Sequence, residues 1–93
     1  MIRVLIDRRL REGVAHDYDR AQRALRGEAL ACRGYITGET WRDLDDPRHY
    51  VVLSTWRTRG EWETWAAAPE RQRVLDEMRP LLVSEQITLL EAA

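Results

Sequence analysis

Ser54-Thr55-Trp56-Arg57-Thr58-Arg59-Gly60-Glu61-Trp62-Glu63-Thr64-Trp65-Ala66-Ala67-Ala68-Pro69-Glu70-Arg71 carries three of the chain's four tryptophans. It also holds the change from a period-two pattern to a helical one. Thr58 and Glu61 fit a capping box, Thr at the N-cap and Glu three residues on. The spacing therefore predicts a short helix with Trp62 and Trp65 on one side. Pro69 opens a second helical segment, where its missing N–H costs nothing. An indole ring wants burial and its N–H wants a partner, so three together make a rigid aromatic wall. The wall either closes a core or lines a pocket.

Upstream, His49 to Trp56 reads as a strand, with Val51 and Leu53 facing one way and Val52 and Trp56 the other. Tyr35 to Arg42 reads as its hairpin partner across the turn chemistry of Asp45-Asp46-Pro47. Strict alternation puts Tyr35, Thr37, Glu39 and Trp41 on one face. Ile2, Val4 and Ile6 alternate as a first strand, which Leu10-Arg11-Glu12-Gly13 breaks. Val14, Tyr18, Ala21, Leu25 and Ala29 recur at helical spacing, with Gly34 as the stop. Val74, Leu75, Met78, Leu81 and Leu82 stripe the segment after Pro69, and Pro80 ends it. Ser84 to Glu91 reads as a last strand.

The order is β-α-β-β-α-β with the second helix broken in two. It predicts an α+β, ferredoxin-like fold: a four-stranded antiparallel sheet with helices on one face. Both parities of the strands carry apolar residues, so the bare face wants a cover. A second copy supplies it, as a homodimer.

The totals bound the function. The 93 residues make a single domain, 1–93, with 44% hydrophobic and 33% charged residues, ordinary for a globular fold. A net charge of −1 offers no field for nucleic acid or an anionic membrane, so neither is expected as a partner. All fifteen basic residues are arginine, which excludes lysine Schiff-base chemistry. Cys32 is alone and suits a reducing compartment. No signal segment opens the chain and no run approaches the ~20 apolar residues of a membrane span, so the expected place is cytoplasmic.

The chain resembles the antibiotic biosynthesis monooxygenase family of dimeric α+β barrels. The likeness rests on Gly34-Tyr35-Ile36, Asp45-Asp46-Pro47, Leu53-Ser54-Thr55-Trp56, Trp62-Glu63-Thr64-Trp65 and Pro69-Glu70-Arg71, in that order. It implies a homodimer with facing sheets and a pocket in each subunit between the sheet and its own helices. Some members oxygenate polycyclic aromatic or quinol substrates without metal or flavin; others bind and break down haem. The haem-degrading branch pairs an Asn on the first strand with a helical Trp and a His ten residues later. Here Trp65 matches the Trp, but Leu75 stands where the His would be, and the first strand offers Ile6 or Asp7. Haem degradation by that route is disfavoured, and no cofactor is expected.

Oxygenation without a cofactor needs a dry apolar slot, a base and donors for a growing oxyanion. Trp65, Trp62 and Trp56 are the candidate pocket walls, each with core packing as the alternative. Trp41 fits a dimer interface. His49, whose ordinary pKa lies near neutrality, and Asp7 are the candidate catalytic bases. Asp7 qualifies only if the first strand turns it inward; otherwise it pairs on the surface with Arg8 or Arg9. Tyr18 offers a hydroxyl from the apolar face of the first helix, and Arg73 an anchor for an anionic ligand or else a solvent-facing charge. No metal site is readable. The leading reading is a cofactor-independent monooxygenase of a small aromatic or quinol-type molecule. Its rival is a non-catalytic dimeric module that binds a ligand or partner.

Overall fold

A computed structural model describes all residues, 1–93. The elements run β1 (Ile2–Leu10), α1 (Ala15–Leu30), β2 (Tyr35–Arg42), β3 (His49–Trp56), α2 (Arg59–Ala66), α3 (Pro69–Met78), a 3₁₀ turn (Arg79–Leu81) and β4 (Leu82–Glu91). The four strands form one antiparallel sheet in the order β2-β3-β1-β4. This is the ferredoxin-like arrangement that the element order predicts, with the second helix split at Ala67–Ala68. No helix is long and apolar enough to cross a membrane.

Alternation sorts β1 cleanly. Val4, Ile6, Arg8 and Leu10 are buried beneath the helices, while Arg3, Leu5, Asp7 and Arg9 occupy the other face. The strand runs three residues past Asp7, because Leu10 pairs with Leu82 and reaches the core. From α1, Tyr18, Ala21, Gln22, Leu25 and Ala29 form the buried stripe. From α3 the stripe is Arg71, Val74, Leu75 and Met78, at the i, i+3, i+4, i+7 spacing of one helix face. From β3 come Val52, Ser54 and Trp56. The opposite face carries Leu5, Val51, Leu53 and Trp41 among charged neighbours, with Trp41 60% exposed.

Two local features set the aromatic geometry. α1 ends at Leu30, short of Gly34, and Gly34 makes the turn into β2 at φ +89°. Its carbonyl accepts the Arg57 N–H at 2.7 Å, which ties that turn to the start of α2. The second feature is a bulge in β2: Tyr35 pairs with Trp56, then Thr37 pairs with Thr55, leaving Ile36 as the extra residue. A bulge reverses the alternation beyond it. Tyr35 therefore joins Gly38 and Thr40 on the helix side, and only Thr37, Glu39 and Trp41 share the outer face. The strict alternation expected for this strand fails at Tyr35 for that reason.

Candidate functional site

Four polar or charged residues are buried in this chain: Arg8, Gln22, Ser54 and Arg71. All four line one slot, between the sheet and α1, α2 and α3. Its apolar walls include Ile6, Leu25, Val52, Trp56, Trp62 and Trp65. The exposed residues Arg26, Glu39 and Thr40 stand at its mouth, between α1 and β2. Water-sized molecules have about 40 Å³ for their centres inside, while all unoccupied space counted out to the open mouth comes to about 460 Å³. The first figure suits about three waters at ~10–15 Å³ each. The second includes open solvent beyond the mouth, so the enclosed part is smaller than the ~300–1,000 Å³ of drug-sized sites.

The aromatic walls brace one another. Tyr35 meets Trp56 edge-on at 5.4 Å and 84°, and Trp56 meets Trp62 at 5.7 Å and 69°. Such pairs contribute about 0.5–1.5 kcal/mol each beyond area burial. The Trp56 indole N–H donates to Ser54 Oγ at 3.0 Å. α2 is held in place by its cap: the Glu61 N–H donates to Thr58 Oγ1 at 3.2 Å, and Arg57 grips the Glu61 carboxylate at 3.1 and 2.7 Å. Trp62 and Trp65 are three residues apart on this helix, so one face delivers both rings.

The two arginines are the unusual groups. Arg8 lies in the middle of β1, fully buried and opposite Glu85 in the sheet register. Its Nε donates to Glu85 Oε2 at 2.8 Å, and its Nη1 to Gln22 Oε1 at 2.6 Å and the Tyr18 hydroxyl at 3.2 Å. Arg71 lies in the first turn of α3 with 5% exposure. Its guanidinium sits 5.2 Å from the centre of the Trp62 ring, and its Nη1 reaches the Ala66 carbonyl at 3.4 Å. Burial lowers its pKa below the ordinary arginine value, and Arg8 and Arg79 add repulsion that Glu85 offsets. The Nη2 atoms of Arg8 and Arg71 are both buried without a hydrogen-bond partner. Burial likewise raises the Tyr18 pKa, against the pull of Arg8, so its hydroxyl stays protonated.

The residues expected from sequence divide between two places. Trp56, Trp62 and Trp65 line the slot. Tyr18 lies buried behind it, reaching it only through Arg8. Asp7 and His49 are brought together, but on the opposite sheet face: His49 Nε2 is 2.9 Å from Asp7 Oδ1, and Nδ1 is 2.9 Å from Asp43 Oδ2. Asp7 does not turn inward, because its odd position on β1 points away from the helices, so neither group is a base for the slot. Arg73 also lies outside it. Two residues from Arg71 is more than half a turn round α3, and there Arg73 is 67% exposed and pairs with Glu28 at 3.4 Å.

Arg8, Arg71, Gln22, Ser54 and Tyr35 were not read from sequence as site residues. For Arg8 the signal existed: it occupies the inward parity set by Val4, Ile6 and Leu10. For Arg71 it was the helical phase of Val74, Leu75 and Met78. Tyr35 was hidden by the bulge. Leu75, where the haem-degrading branch has its His, is packed in the core at 3% exposure. No three His, Cys, Asp or Glu side chains cluster so as to hold a metal ion.

Known proteins of this shape are numerous. A conserved protein of Methanosarcina mazei Go1 superposes with a TM-score of 0.93 at 16% identity, over 99% of this chain and 92% of the other. An antibiotic biosynthesis monooxygenase superposes at 0.90 and 16%, over 100% and 99%. SnoaB, a cofactor-independent oxygenase from Streptomyces nogalater, superposes at 0.88 and 15%, over 99% and 93%. At these identities the likeness speaks for fold alone. No curated protein matches the sequence. The family model for antibiotic biosynthesis monooxygenases does match, over residues 1–77, and the chain belongs to that family.

Proposed function

We propose that the slot binds a small phenol-, quinol- or anthrone-type aromatic, and that the chain oxygenates it with O₂ and no cofactor. The observation that carries this reading is the wall of Trp56, Trp62, Trp65 and Tyr35 around a slot open at one end. Membership of the family supports the reaction class.

The chemistry asks for an electron-rich anion. The substrate loses a proton to water at the mouth and becomes a phenolate or enolate. Each 1.36 kcal/mol by which the slot prefers the anion to the neutral form lowers the bound pKa by about one unit. The anion passes one electron to O₂. The radical pair combines in a C–O bond, the peroxide anion takes a proton back from water, and the hydroperoxide loses water to leave a quinone. Apolar walls keep bulk water from the radicals.

The outer sheet face is covered, in this reading, by a second copy. Leu5, Val51, Leu53 and Trp41 supply the apolar contact, and light scattering at micromolar concentration should give twice the chain mass.

Anaerobic titration with naphthoquinols and anthrones should quench tryptophan fluorescence, and admitting O₂ should start oxygen uptake. No quenching and no uptake across the panel would remove the reading. A non-catalytic binding module is favoured by one observation: neither Asp7 nor His49 reaches the slot. Quenching without uptake would decide for it.

A further inference from the structure

We propose that the slot's ligand carries a monoanionic oxygen group on a planar aromatic frame, and that Arg8 and Arg71 hold that group through their Nη2 atoms. The inference deepens the reading above and rests on the slot being the ligand site.

Both guanidiniums are buried, and both are oriented by other contacts. Arg8 is fixed by Glu85, Gln22 and Tyr18, and Arg71 by Ala66 and the Trp62 ring. Each keeps one Nη2 with no partner, and both residues line the same slot. A buried donor left unmet costs about 1–3 kcal/mol, and more when it is charged. A water would satisfy the N–H but not the charge. Glu85 is the one carboxylate paired with this couple, so a single positive charge stays uncompensated.

The occupant's chemistry follows from that balance. One surplus charge matches a monoanion better than a dianion such as phosphate. The planar guanidinium fork suits a carboxylate or a delocalised phenolate, with charge-assisted bonds roughly twice as strong as neutral ones. The indole walls suit a ring attached to that group. A free inorganic anion would leave those walls without contact.

The test uses tryptophan quenching under nitrogen, with benzoate against its neutral isostere benzamide, and 4-nitrophenol as the phenolate probe. Benzoate should bind at least about tenfold tighter than benzamide, or 4-nitrophenol should ionise on binding, seen in its yellow absorbance; whichever arm responds identifies the group. Arg71→Gln should erase the preference and raise the ligand-free melting temperature by removing an unmet cation. Arg71→Lys keeps the charge but loses the fork, and should retain only part of the preference. Equal binding of benzoate and benzamide with no ionisation of nitrophenol would overturn the proposal. So would an anion preference unchanged in a folded Arg71→Gln. The wild-type comparison decides even where a variant fails to fold. Oxygen uptake on neutral quinols without anion preference would sink this inference and spare the oxygenase reading. Anion preference with no uptake on any quinol would do the reverse.

Discussion

Gly34→Ala should loosen the helix that carries Trp62 and Trp65. At φ +89° an alanine is strained by about 1–2 kcal/mol. Its Cβ would also lie 2.7 Å from the Glu61 Cβ, too close to the backbone of α2 for a simple rotamer change to relieve. Moving Glu61 breaks its grip on Arg57 and its bond from the Thr58 hydroxyl, and strains the cap, at a cost of about 1 kcal/mol more. The expected loss is roughly 2–3 kcal/mol, against roughly 5–14 kcal/mol of total stability for a chain of this length. At about 4–8 °C per kcal/mol for a small domain, the melting temperature should fall by about 10–25 °C. Thermal unfolding followed by circular dichroism reads this directly. Gly27→Ala is the control: nothing lies within 4 Å of its added carbon, and it sits inside α1. It should stabilise by about 0.5–1 kcal/mol. A Gly34→Ala protein melting within about 2 °C of wild type would refute the reasoning.

Four further outcomes follow from the same contacts. Trp62→Leu removes the edge contact with Trp56 and the ring beneath Arg71; denaturant unfolding should show a loss of about 2–4 kcal/mol, and aromatic ligands should bind at least about tenfold more weakly. Arg8→Met leaves Glu85 and Gln22 without their donor and should cost about 3–5 kcal/mol, part of which Arg8→Met with Glu85→Gln should restore in the same assay. Arg73→Ala should change stability by less than about 0.5 kcal/mol and leave quenching by quinols unaltered, since its partner Glu28 lies on the surface. His49 bonds to Asp43, then Asp7, and these hold its pKa above the ordinary 6.5. A raised native pKa contributes stability in full below the unfolded value and loses it as pH rises through the native value. The urea midpoint should therefore decline on going above about pH 6.5, and His49→Gln should flatten that decline. Asp43, held below its ordinary 3.8 chiefly by His49, contributes in the opposite sense, with stability lost on acidification through its native pKa.

The sequence made the architecture legible because its periods are clean. Val52 and Trp56 against Val51 and Leu53 gave the faces of β3, and Thr58 with Glu61 gave the start of α2. The site was half legible. The tryptophans announced a wall, since three large rings so close in sequence have few places to go. The charged half was missed because Arg8 and Arg71 are read by default as solvated. Only their phase with Val4 and Ile6, and with Val74 and Leu75, shows that they point inward. Asp7 and His49 attracted notice for their chemistry, yet chemistry does not tell which side of a strand a residue occupies. One inserted residue at Ile36 moved Tyr35 into the slot, and bulges leave little trace in composition.

The most direct measurement is a crystal structure of the chain grown with benzoate or an oxygen-stable naphthoquinone. The account predicts ligand density between α1 and β2, in contact with Trp62 and Trp65 and within hydrogen-bond reach of Arg8 or Arg71 Nη2. A slot filled by its own side chains, with the ligand absent or seated beside His49 and Asp7 on the far face of the sheet, would contradict it.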